Sequence, residues 1–183
     1  VEKKDKYGDT ALLYAVYSFK DIKKTDNNVY ETVKLIVSGG ADVKITNDIK
    51  NTPLHLALIN EYNKTAAYLI EKKSEVNAAN VNGMTPLMIA AEFANPGLVK
   101  MLLSKGAEVN MKDNSSRTAL FFAVTSYRDV NKKESDIVEV VKALVSKGAE
   151  VNIRTPGVKV EGVVDVDGVS VQYSKIDYQG YTP

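Results

Sequence analysis

The 183-residue chain has no cysteine and a single histidine, His55. Without cysteine there is no disulfide, no thiol nucleophile and no thiolate ligand. With one histidine, the Cys/His pairs of covalent catalysis and the usual zinc sites lack their members. Neither sign of charge is in excess: 24 Lys and Arg stand against 23 Asp and Glu, a formal net charge of +1. No basic block is present to follow a nucleic-acid backbone or an anionic membrane surface. No apolar run approaches the roughly 18 residues of a membrane-spanning helix, and no secretory signal heads the chain. The 11 glycines are spread along the chain, with Gly39-Gly40 their one adjacent pair, and form no phosphate-cradling loop. Asp165 and Asp167 stand like the start of a calcium loop, but the ligand series is incomplete. These absences predict a non-enzymatic chain without cofactor, metal, nucleic acid or membrane insertion. They leave its compartment unknown: a soluble chain, cytoplasmic by default, with export or a periplasmic place left open.

What the chain does have is a repeated frame. Threonine recurs at Thr10, Thr52, Thr85, Thr118 and Thr182 in similar surroundings, most fully as Asn80-Val-Asn-Gly-Met-Thr-Pro-Leu-Met-Ile-Ala90. Thr52 to Thr85 and Thr85 to Thr118 are both 33 residues, a period that belongs to stacked repeats. Within residues 80–112, Gly83 suits a turn needing positive φ. Thr85-Pro86 reads as a helix start, with the hydroxyl as cap and proline in the first turn. Leu87, Ala90 and Ala91 form one apolar stripe. Asn95-Pro-Gly97 breaks this helix, Leu98, Val99, Leu102 and Leu103 form a second stripe, and Gly106 ends it. Neither short helix buries its stripe alone, so neighbouring units must stack.

The Thr52-Pro-Leu-His55 motif and the Gly-Ala-Asp/Glu-Val runs at 40–43, 106–109 and 148–151 resemble the ankyrin repeat. The resemblance implies an all-α solenoid, an ankyrin repeat array of helix-turn-helix repeats joined by β-turn fingers. Residues 1–183 read as a single array segment with repeats at 5–46, 47–79, 80–112 and 113–154, a β-hairpin insertion at 155–176 and the start of a further repeat at 177–183. Val1-Glu-Lys-Lys4 and Thr182-Pro183 match the interior of repeats, so both ends are expected to fall inside a longer array. The frame departs from the family pattern in places: Ala11 and Ala119 replace the proline, and Lys50 and Ser116 occupy the turn-glycine position. Leu13, Met88 and Phe121 fill the slot of His55, so those repeats are expected to lose the histidine hydrogen bonds. Lys50 at positive φ would cost about 1 kcal/mol.

Two irregularities give the chain its individuality. Repeats one and four each carry nine extra residues between their helices. The apolar stripe continues through Phe19 and Ile22 in one and Tyr127 and Val130 in the other, which predicts a lengthened first helix. Residues 155–176 alternate as strands do around Asp167-Gly168, a favoured two-residue hairpin turn. That turn would pair Val166 with Val169, Val164 with Val171, Gly162 with Tyr173 and Val160 with Lys175. Val160, Val164, Val166, Val169, Val171 and Tyr173 then form a contact face, against the array itself or another chain.

The resemblance places the partner surface on finger tips and outward positions of the first helices. Those positions include Lys6, Asp48, Asn82 and Glu92, and the candidate partner-binding residues are Tyr7, Asp9, Tyr17, Ile49, Asn51, Ile59, Val81, Met84, Phe93, Arg117, Tyr178 and Tyr181. Aromatic residues, methionine and arginine are enriched at protein interfaces, so a protein or peptide on this concave surface is the implied function. Two other readings stay open: a structural or self-assembling array, a homo-oligomer through its hairpin and uncapped ends, or the targeting segment of a larger enzyme or toxin.

Overall fold

The computed structural model describes residues 3–17, 25–126, 132–151, 160–166 and 169–174, the last two through their backbone. Among these residues, eight helices and two strands follow in order: α1 (Ala11–Val16), α2 (Asp26–Ser38), α3 (Pro53–Ile59), α4 (Asn63–Glu71), α5 (Pro86–Glu92), α6 (Pro96–Ser104), α7 (Ala119–Thr125), α8 (Glu134–Ser146), β1 (Val160–Val166) and β2 (Val169–Ser174). The odd-numbered helices pack in one row, the even-numbered in a second, and each pair bridges the rows. The shared core runs the length of both rows, from Leu13 and Val33 through Leu69, Leu87 and Leu102 to Leu120 and Leu144.

The threonine frame sets where the first helices begin. Thr52, Thr85 and Thr118 have extended backbone, and their hydroxyls accept the N–H of His55, Met88 and Phe121. Each thereby satisfies one orphan donor of its helix. Thr10 keeps the backbone geometry, but its buried hydroxyl has no hydrogen-bond partner among the described residues. His55 goes further, since its Nδ1 lies 3.2 Å from the Thr52 N–H. The sulfur of Met88 accepts the Thr85 N–H at 3.4 Å, so the methionine repeat retains half of the reciprocal cap that a hydrocarbon would lose.

The insertions lengthen the second helix, not the first. α1 and α7 have 6 and 7 residues, like α3 and α5 with 7. α2 and α8 have 13 residues, against 9 in α4 and α6. The added turns start favourably: Thr25 caps α2 and Asp26 lies in its first turn, while Glu134 and Asp136 lie in that of α8. Acidic groups there oppose the positive end of the helix dipole. Phe19, Ile22, Tyr127 and Val130, which suggested the other extension, lie outside the described residues.

The longer α2 also supplies a cap to its neighbour. Tyr62 at the start of α4 makes no side-chain cap. The Asp26 carboxylate accepts the backbone N–H of Lys64 at 2.6 Å and of Thr65 at 3.1 Å, and the Thr65 hydroxyl at 2.8 Å. An aspartate from one repeat thus closes a helix N-terminus of the next. Asp26→Ala should lower stability by about 1–3 kcal/mol, because charge-assisted bonds to helix N–H groups are lost. Urea unfolding measures it, with Glu31→Ala on the same helix as an exposed control.

Asparagines at a fixed place stitch the repeat ends together. Asn77 donates to the Gly106 carbonyl and accepts from Glu108 N–H, and Asn110 does the same with Gly148 and Glu150. Repeat one has Lys44 there, which has no amide and pairs instead with Glu75.

β1 and β2 pair antiparallel, with Val166 opposite Val169, Val164 opposite Val171 and Gly162 opposite Tyr173. Val160 lies opposite Ser174 rather than Lys175, because the ladder is irregular between Val160 and Gly162. β1 runs beside α8 and β2 beside α7. The Asp167-Gly168 turn and the side chains of Val160, Val164, Val166, Val169, Val171 and Tyr173 lie outside the described residues.

Candidate functional site

Four matching turns form the fingers. Asp5, Asn47, Asn80 and Asp113 each open one, and their side-chain Oδ1 atoms accept N–H groups two or four residues ahead. Short polar side chains folding onto their own backbone in this way set a turn. Three residues later comes a positive φ: 75° at Gly8, 58° at Lys50, 75° at Gly83 and 61° at Ser116. Lys50 therefore adopts the conformation expected from its place in the frame. Adjacent fingers are tied by Val81 N–H to the Ile49 carbonyl at 3.1 Å and by Asn114 N–H to the Asn82 carbonyl at 3.1 Å.

Among the described residues, the fingers and first helices carry most of the large exposed hydrophobics. Among the described residues the large exposed hydrophobics are Tyr7, Tyr14, Tyr17, Leu35, Ile49, Ile59 and Val81. Only Leu35 is on the second row, in α2. Tyr7 is 58% and Ile49 51% exposed, well beyond what packing on their own fingers would leave. At one end of this strip Tyr7, Asp9, Tyr14, Tyr17, Asn47, Asp48 and Ile49 line an open cleft of about 390 Å³.

Other expected contact residues are engaged within the array. Asn51 is only 5% exposed and its Oδ1 accepts from Asn80 Nδ2 at 2.9 Å; it joins two fingers and offers no partner contact. Met84 and Phe93 are half-buried against the core, the Met84 carbonyl meets His55 Nε2 at 3.1 Å, and Lys132 Nζ lies 5.4 Å from the Phe93 ring centre. Arg117 pairs with buried Asp113 at 2.7 Å, its guanidinium 4.7 Å from the Phe122 ring centre. Asp9 is half-buried. Tyr178 and Tyr181 lie outside the described residues.

Sequence reasoning missed Tyr14 and Asn47 as cleft residues. The signal for Tyr14 was its place three residues before Tyr17, on the same helical face. The Tyr14 hydroxyl donates to Asp5 Oδ2 at 3.0 Å, and that bond, with the carboxylate charge behind it, raises its pKa. The Asp9 carboxyl is also raised, first by its burial and then by the charge of Asp5; the Asn47 amide opposes this and Asp48 adds to it.

Stacked helical pairs, Asx-opened fingers and threonine-capped first helices define a helical repeat solenoid. The family description "Ankyrin repeats (3 copies)" matches residues 23–113 and "Ankyrin repeat" matches 115–156; the chain belongs to the ankyrin repeat family. It is similar to human transient receptor potential cation channel subfamily A member 1, with 38% identity over 88 residues, 48% of this chain and 8% of that protein. It is similar to human neurogenic locus notch homolog protein 1, with 30% identity over 136 residues, 73% of this chain and 5% of that protein. A variola virus protein named Ankyrin repeat protein OPG189 is 26% identical over 125 residues, 68% of this chain and 22% of its own length. The chain thus spans a small part of each of these relatives. Ankyrin repeats are generally protein–protein interaction modules.

Proposed function

We propose that this chain binds a protein or peptide segment along the concave face formed by the fingers and first helices. The observation that carries this reading is the one-sided distribution of exposed apolar residues. Tyr7, Tyr14, Tyr17, Ile49, Ile59 and Val81 lie on fingers or at first helices. Exposed apolar groups gathered on one side have a water-exposure cost that a partner removes. Tyr7, Tyr17, Ile49, Ile59 and Val81 are the anchors, with Met84 and Phe93 as the floor beneath them. Relatives as different as a cation channel, a notch protein and a viral protein share the repeats, which supports the array, not any whole-protein activity, as the common element.

The quadruple variant Tyr7→Ser, Ile49→Ser, Ile59→Ser and Val81→Ser should lose at least about tenfold in affinity for a captured partner, since four exposed anchors disappear. Its far-ultraviolet circular dichroism should stay that of the parent, because these side chains are outside the core. Affinity within twofold of the parent would overturn the reading. The pair Ile59→Ser and Val81→Ser tests the groove away from the tyrosine cleft.

The hairpin supports a second element of this reading. Its strands run beside α7 and α8, which favours a cover for the last described helical pair over a contact between chains.

A further inference from the structure

The tyrosine cleft combines three properties that point to one kind of group. Its walls are aromatic: Tyr7, Tyr14 and Tyr17, with Ile49 opposite. Its described lining is acidic, with Asp9 and Asp48 in it and Asp5 behind Tyr14; Lys6 Nζ lies 4.8 Å from the Tyr7 ring centre. That internal ammonium shows a phenol face within a cation's reach. The Asn47 amide reaches the Asp9 carboxyl, but its buried Oδ1 has no hydrogen-bond partner among the described residues. A desolvated carboxylate oxygen without a donor is unfavourable until one arrives.

We propose that this cleft receives an arginine side chain of the protein segment bound on the groove. The proposal rests on the groove reading and names the chemistry at one end of it. A guanidinium is planar and weakly hydrated, and it stacks on aromatic faces while its N–H fork reaches carboxylates. Tyrosine walls with Asp9 and Asp48 between them match both demands, whereas a lysine ammonium is a point charge that uses only the second. A cation would also relieve the mutual repulsion of Asp5, Asp9 and Asp48, the same repulsion that helps to raise the Asp9 carboxyl. Lys6 competes for the Tyr7 face.

The test is a nuclear magnetic resonance titration of this chain with capped Gly-Arg-Gly, Gly-Lys-Gly and Gly-Gln-Gly tripeptides. The arginine peptide should shift Tyr7, Tyr14, Tyr17 and Ile49 saturably, with an apparent Kd about tenfold below that of the glutamine peptide and several-fold below that of the lysine peptide. Asp9→Asn and Asp48→Asn should each weaken it about tenfold without lowering the thermal midpoint, and Lys6→Gln should strengthen it. A glutamine peptide binding as well as arginine, or shifts absent from the cleft, would overturn the proposal; a lysine peptide equal to arginine would overturn the guanidinium assignment. A chain that captures a partner through Ile59 and Val81 yet ignores the arginine peptide refutes the cleft alone. Peptide binding with no effect of Ile59→Ser and Val81→Ser on capture refutes the groove instead.

Discussion

Gly83→Ala should lower stability by about 2–4 kcal/mol, whereas Gly106→Ala should lower it by about 1–2 kcal/mol. Both glycines have positive φ, 75° and 89°, so both substitutions carry the left-handed cost of an L side chain. They differ in what the new methyl meets. At Gly106 nothing lies within 4 Å; at Gly83 it would stand 2.8 Å from the Asn114 backbone nitrogen and 2.9 Å from the Asp113 Cα. Backbone cannot swing aside as a flexible side chain can, so the fourth finger must retreat. Retreat strains the Asn114 N–H bond to the Asn82 carbonyl and the Asn114 Nδ2 bond to the Val81 carbonyl, now 3.1 and 2.9 Å. Urea unfolding of the two variants side by side checks it. Equal losses would mean that the fingers do not depend on this close approach.

His55→Ala should cost about 2–4 kcal/mol at pH 7.5, and the gap to the parent should narrow as pH falls toward 5. The ring is fully buried. The Met84 carbonyl only accepts, so Nε2 carries the proton and donates to it at 3.1 Å, leaving Nδ1 to accept from Thr52, whose Oγ1 lies at 2.8 Å and N at 3.2 Å. Alanine leaves Thr52 N–H and the Met84 carbonyl without this partner and opens a cavity between two repeats. Burial lowers the His55 pKa, against the opposing pull of the Met84 and Ala78 carbonyls. A folded pKa below the unfolded value of about 6.5 means that the neutral ring's contribution is complete above that pH. It is lost as pH falls through 6.5 toward the folded pKa, because the unfolded chain takes up the proton first. The alanine variant has no such slope at this site. Urea midpoints of both chains at pH 7.5, 6.5 and 5.5 measure the difference; parallel pH curves would rule out a buried neutral imidazole.

The sequence by itself determined the repeat period, the threonine starts of the first helices, the turns with their positive φ at Lys50, Gly83 and Ser116, and the surface on which Tyr7, Tyr17, Ile49, Ile59 and Val81 are exposed. These follow from φ preferences and hydrogen bonds closed within about four residues, which a local frame encodes completely. The tertiary structure decided the rest. It lengthened the second helices of repeats one and four and sent Asp26 across to cap α4. It withdrew Asn51 and Arg117 into contacts within the array, and it brought Tyr14 and Asn47 into the cleft with Asp9 and Asp48. Most of those contacts join residues roughly 30 or 40 apart, one stacking step along the solenoid; periodicity reveals which face of a helix is apolar, but only the packing of repeats determines which polar neighbour reaches across.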